Sequence, residues 1–135
     1  MADALRMISI ARKAGKAQVG EEPVLAAIDS RKARFVLLAA DAAENTADRF
    51  THALSRTHIA YAVVPYTRDE LGAALGRASC AVCAVCDLGL SEAIAQALAQ
   101  ADSEKYGSCA RALRETSERI EQRKQKKPGK RYQAK

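Results

Sequence analysis

A three-layer α/β/α sandwich around a mostly parallel central sheet is the fold class this sequence predicts. Three observations predict it. Segments of helical period alternate with short apolar runs along the chain. The run "RFVLLAA" is continuously apolar, the pattern of a strand covered on both faces. The chain has 135 residues, 48% hydrophobic but only 4% aromatic and without Trp, and alanine supplies much of the apolar content. That length suits one domain with a genuine core, and alanine favours helices.

The elements follow in order. Residues 3–14 place Leu5, Ile8 and Ala11 at helical spacing, and Gly15 is a suitable residue to stop the helix. "KAQVG" is a short strand. "EEPVLAAIDSRKA" opens with two carboxylates and a proline, all favourable in a first helical turn. The strand "RFVLLAA" comes next. Residues 41–59 form a helix with Phe50 and Leu54 on its inner stripe, and "AYAVVPY" is another strand. "TRDELGAALGRA" is a short helix opened by a capping box, Thr67 with Glu70 three residues on. "SCAVCAVCD" is the last strand and "LGLSEAIAQALAQA" the helix after it. The domain is expected to span residues 1–101. Residues 102–121 hold a linker, "DSEKYG", and a possible extra charged helix; 122–135 form a basic tail read as disordered.

Cys80, Cys83 and Cys86 are spaced by three, which also suits a metal or iron–sulfur ligand run. In a strand, alternation puts Cys80 and Cys86 on one face and Cys83 on the other, so the three cannot converge on one ion. Cys109 lies far along the chain, and paired zinc-ligand spacings are absent. The cysteines are therefore expected to be small buried hydrophobes, with no metal and no cofactor. The N-terminal stretch carries charges and no apolar signal core, and no apolar run is long enough to span a membrane. A cytoplasmic protein with reduced thiols is expected.

Enzyme signals are thin. No nucleophile elbow is present, "RKAGK" lacks the rest of a phosphate-cradling loop, and His52 and His58 read as surface residues. Gly72 and Gly76 suit close packing rather than a dinucleotide fingerprint. Charge is more informative. Of the 22 Lys and Arg, seven lie in residues 122–135, which have no acidic residue; the other 15 are balanced by all 16 carboxylates. The body is nearly neutral and the tail carries the excess, an arrangement that suits phosphate. Two further basic clusters stand out: Arg12, Lys13 and Lys16 before the turn "VGEE", and Arg31, Lys32 and Arg34 after the following helix.

The ordered set "AGK", "GEE", "KA" before an apolar strand, "A-x-D-A-x-x-N-T" and "ELG-x-x-x-G" before another apolar strand is similar to the ribosomal protein L-seven-Ae superfamily, over residues 4 to about 100. Within it the chain resembles the bacterial YlxQ-type branch. The resemblance implies an α/β/α sandwich and, in better-known members, recognition of RNA kink-turns by a Gly-x-Asn-Glu-x-x-Lys segment opening the second helix. Here Gly20 matches the Gly, while Glu22, Pro23 and Ala26 stand at the Asn, Glu and Lys positions. The branch generally carries "GEE" at this point. The family's second contact loop, before the last strand, corresponds to Arg77, Ala78 and Ser79.

The expected function is non-catalytic RNA binding, in association with structured RNA or ribosomes. The edge is formed by Lys13, Lys16, Gly20, Glu21, Glu22, Arg77 and Ser79, with added phosphate contacts from Lys126, Lys127, Lys130 and Arg131. The alternative is a protein-interaction module that keeps the fold but has lost kink-turn recognition. Replacing Cys83 with Ser puts a hydroxyl into an apolar strand. It should lower stability by roughly 1–3 kcal/mol in equilibrium denaturation, and an unchanged midpoint would argue that Cys83 is not in the core.

Overall fold

A computed structural model describes residues 2–134, with side chains over residues 4–123. The elements run α1 (Ala2–Lys13), β1 (Ala17–Val19), α2 (Glu21–Asp29), β2 (Phe35–Leu38), α3 (Glu44–Leu54), β3 (Ala60–Val63), α4 (Arg68–Ala74), β4 (Val82–Val85), α5 (Leu88–Ala101) and α6 (Ser103–Ala134). Among the described residues no helix is long and apolar enough to cross a membrane.

Local chemistry explains most helix boundaries. Gly15 stops α1 at φ 74°: its N–H donates to the Arg12 carbonyl and that of Lys16 to Ala11, the paired bonds of a Schellman turn. Helix α2 stops by the same pattern, Arg31 N–H to Ile28 and Lys32 N–H to Ala27, but the left-handed position is taken by Arg31 at φ 63°. A side chain there costs roughly 1–2 kcal/mol against the same turn with glycine. At α4 both halves of the capping box form, Glu70 N–H to Thr67 Oγ1 at 3.2 Å and Thr67 N–H to Glu70 Oε1 at 2.9 Å. Asp87 caps α5 by accepting from Leu90 N–H.

The sheet corrects the expectation of mostly parallel strands. Its order is β1-β4-β2-β3, and only β2 and β3 pair in parallel; β4 runs antiparallel to both β1 and β2. Helix–strand alternation orders the elements along the chain, but side chains alternate identically in both kinds of ladder, so strand direction is not written in it. The direction is set by α4, which caps one end of the sheet instead of returning along it. Ala40 N–H donates to Tyr66, Ala39 N–H to Ala81 and Cys80 N–H to Arg68, so β4 starts beside the ends of β2 and β3.

Both sheet faces are buried, and the period of two assigns the side chains. Phe35, Leu37, Cys83 and Val85 join one core with α1, α4, α5 and α6; Val36, Leu38, Val82 and Ala84 join the other with α2 and α3. The cysteine faces differ from the alternation expected over residues 79–87. Cys80 and Cys83 share the first core, while Cys86 packs against the second. Strand geometry begins only at Val82, and a bend at Ala81 turns Cys80 inward beside Cys83. All four cysteines are free.

Residues 102–107, expected as a linker, are mostly helical. Only Asp102 interrupts the chain between α5 and α6, and its carboxylate accepts from Lys105 N–H to start the new helix. Helix α6 packs onto α5 and β3, burying Tyr106 and Leu113 in the first core, so the core extends past residue 101. It also covers the outer edge of β3: Tyr106 Oη donates to the Val63 carbonyl at 2.7 Å and Cys109 Sγ to the Tyr61 carbonyl at 3.4 Å. An edge strand blunted in this way is a poor template for pairing with another chain. Tyr106→Phe keeps the ring and leaves the Val63 carbonyl without the phenol; stability should fall by about 1 kcal/mol in urea denaturation. A change below about 0.3 kcal/mol would mean that water replaces the phenol at no cost.

Candidate nucleic-acid interface

Three segments meet at the end of the sheet where β4 begins: the start of α2, the loop from α4 to β4, and the first turns of α3. Gly20, the N-cap of α2, sits at φ 102°, ψ 164°. A Cβ there would touch only the Pro23 ring at 3.7 Å, so backbone conformation rather than space calls for glycine. Its N–H donates to the Val82 carbonyl at 3.2 Å, pinning the helix start to the first residue of β4. Gly20 has no side chain to cap the helix and Pro23 has no N–H. The N–H groups of Glu21 and Glu22 therefore head the helix, where an acceptor is favoured.

Two carboxylates stand at the same point. Glu21 is taken up by α3: Arg49 Nη2 donates to its Oε1, and Thr46 Oγ1 lies 3.4 Å from its Oε2. The Arg49 guanidinium also lies 5.6 Å from the centre of the Phe50 ring. Both partners of this pair are substantially exposed, so it orients Glu21 more than it stabilises the fold. Glu22 remains exposed, an acceptor suited to an amino group such as that of guanine.

The loop before β4 lies flat on α4 because Gly72 has no side chain. A Cβ at Gly72 would stand 2.8 Å from Ser79 Cα and 2.9 Å from the Arg77 carbonyl oxygen. The close packing expected of this glycine is therefore with its own loop. Arg77 and Ser79 are exposed at that loop, and Cys80 is buried beneath it. A hydrogen bond with Cys83 draws the Cys80 thiol below its ordinary pKa despite burial, helped by the backbone of Val82 and Gly20 and by the Arg77 charge. The same contact, with burial, pushes Cys83 well up. Cys80 Sγ also donates to the Val82 carbonyl at 3.1 Å, which ties the loop to the start of β4.

Gly20, Glu21, Glu22, Arg77 and Ser79 thus belong to segments that the structure brings together. Lys16 does not join them. The Lys16 carbonyl accepts from Cys86 N–H, at the far end of β4, and Gly20 lies four extended residues away, roughly 13 Å. Lys126, Lys127, Lys130 and Arg131 fall where side chains lie outside the described residues. Sequence reasoning left Arg12, Thr46 and Arg49 out of the site. The Arg12 guanidinium lies over Gly76, next to Arg77: a Cβ at Gly76, at φ 72°, would be 2.8 Å from its Cζ. Thr46 closes the motif "A-x-D-A-x-x-N-T", but neither it nor Arg49 shows its partner locally, because Glu21 is more than 20 residues away. Among the described residues no group of three or more His, Cys, Asp or Glu could hold a metal ion.

The structure is thus a buried-sheet sandwich with a glycine-opened helix beside the loop that carries Arg77. The chain belongs to the ribosomal protein L7Ae/L30e/S12e/Gadd45 family, whose model matches residues 2–95. Among curated relatives, the RNA-binding protein YlxQ of Bacillus subtilis is 34% identical over 89 residues, 63% of this chain and 84% of the relative. A solved Bacillus halodurans protein of unknown function is 28% identical with a TM-score of 0.68, covering 73% of this chain and 98% of its own. The Giardia lamblia 15.5kD RNA binding protein shares the fold at 18% identity, with a TM-score of 0.61 over 76% of this chain and 87% of its own.

Gly72→Ala should force the Arg77–Ser79 loop off α4. The expected loss is about 1–3 kcal/mol of stability, read from the denaturation midpoint. An unchanged midpoint would mean that the loop does not pack as closely as the backbone distances state.

Proposed function

We propose that this protein binds structured RNA without catalysing a reaction, using the edge where the α2 start meets the loop before β4. The observation that carries this reading is the pinning of Gly20 to Val82 beside Arg77 and Cys80. It supports an edge made of the α2 start, the exposed Glu22 and the loop that carries Arg77. Family membership and the RNA-binding relative YlxQ support it. Phosphates would be held by Arg77 and Arg12, and a base edge by Glu22 and the backbone at Gly20. The basic segment 122–135 adds attraction that weakens steeply with salt. A ribosomal RNA in the cytoplasm is the partner this chemistry suits.

Kink-turn specificity is expected to be weak. Pro23 and Ala26 stand where the better-known relatives carry a hydrogen-bonding carboxylate and a cation, and Glu21 is already engaged by Arg49. Titrating a kink-turn RNA against the same duplex without its bulge should give binding to both, with a preference below about tenfold, or 1.4 kcal/mol. Arg77→Ala should reduce whatever preference exists. A larger preference would show that Glu22 and the Gly20 backbone suffice for kink-turn recognition, and no binding to either RNA would overturn the RNA-binding reading itself.

A further inference from the structure

The opposite end of the sheet carries a second basic surface. A cavity of about 310 Å³ opens there between the α2–β2 turn, the α3–β3 loop, the start of α5 and the middle of α6. Its wall includes Arg31, Arg34, Arg56, His58, Thr116 and Arg119, and no carboxylate lines it. Backbone bonds fix its place. Arg34 N–H donates to the Val85 carbonyl, so the cavity lies where β4 ends, a strand's length from Gly20 at its start. Arg31 and Arg56 also line an adjoining cavity of about 370 Å³ with His52, which extends the same basic surface past Asp29.

Two details say that these cations are placed rather than scattered. Arg119 Nη2 donates to Thr116 Oγ1 at 3.2 Å, one helical turn back, and both residues line the cavity. Arg31 holds the left-handed stop of α2, where the turn's hydrogen bonds would be made equally well by glycine. The turn gains nothing from a long cationic side chain, yet one stands there at a conformational cost, and Arg31 lines the cavity. Among the described residues, none of the four arginines is in an ion pair. In sequence, the segment 122–135 that follows Arg119 along α6 holds seven cations and no carboxylate.

We propose that this cavity is a second RNA-backbone site, which takes phosphodiester groups of a strand running on toward the basic end of α6. It rests on the RNA-binding reading above and assigns to the far end of the sheet a role in affinity, separate from preference at the Gly20 edge. Concave guanidinium groups with no opposing carboxylate suit the bidentate, base-independent recognition of phosphate.

The test uses the full chain and the same two probes, the kink-turn RNA and its bulge-free duplex, over a salt series. The pocket variant is Arg31→Gly with Arg56→Gln. The control, Arg6→Gln with Arg111→Gln, removes two exposed cations elsewhere. The pocket variant should weaken both RNAs alike, by about five- to thirtyfold near 0.1 M salt, and lower the log–log salt slope by about 1.4–1.8, two contacts' worth. The control should change affinity less than about twofold. Arg31→Gly alone should unfold at or above the wild-type temperature while still losing affinity, which separates binding from folding. If wild type binds and the pocket variant matches it, or the control weakens binding equally, the pocket assignment falls and the Gly20 edge stands. If wild type binds neither RNA, the RNA reading falls and this site with it.

Discussion

The short strand Val82–Val85 is the constraint on which the rest of the molecule depends. It lies between β1 and β2 in the sheet, is buried on both faces, and pairs antiparallel on both sides. Two separate cores are assembled against its alternating side chains, Cys83 and Val85 on one face, Val82 and Ala84 on the other. Small residues suit this position, since helices must approach both faces closely and larger side chains would force them apart. The cysteines serve as such small apolar groups. The Cys80–Cys83 contact also ties the loop before the strand to the strand itself.

Because β4 enters beside the ends of β2 and β3, its first residue meets Gly20 and its last meets Arg34, while Cys86 just after it donates to Lys16. The two ends of one strand therefore organise two different surfaces. At the first, carboxylates and cations are mixed: Glu21 is held by Arg49, Glu22 is exposed, and Arg77 and Arg12 border the loop. Mixed charge with backbone donors favours selectivity over raw attraction. At the second, four arginines face a cavity without an opposing carboxylate, which favours attraction over selectivity. A nearly neutral body can thus contain a cavity lined, among the described residues, by arginines and no carboxylate. Net charge alone does not show that division.

Helix α6 links the body to the basic segment. Tyr106 and Leu113 anchor it in the first core, and Tyr106 and Cys109 occupy carbonyls at the outer edge of β3. The helix therefore closes the exposed side of the sheet and brings Thr116 and Arg119 to the cavity wall. Its apolar residues are sparse, at Tyr106, Cys109, Ala110 and Leu113 over two turns, after which charged residues dominate.

Much of this protein was legible from the amino-acid order. The Schellman stop at Gly15, the capping box at Thr67 and Glu70, and the buried strands follow from short-range rules, in which a residue's neighbours within four positions decide its conformation. The Gly20 and Arg77 segments were legible through family resemblance, an ordered pattern that survives without knowledge of contacts. Most of what lay beyond reach involves groups far apart in the chain. The direction of β4 depends on α4 capping the sheet end rather than running back along it. The inward turn of Cys80 depends on a bend at Ala81, and the first turn of α6 on Tyr106 finding a core partner at β3. Basic residues at 12–16 form one cluster in sequence, yet Arg12 reaches Gly76 while Lys16 stands at the far end of β1. Sequence determined which segments are helices or strands and which faces are apolar, since periodicity is a local property. Only tertiary structure decided which strands are neighbours, which charges share a surface and where the two basic ends lie, since those are set by packing between segments that carry no record of one another.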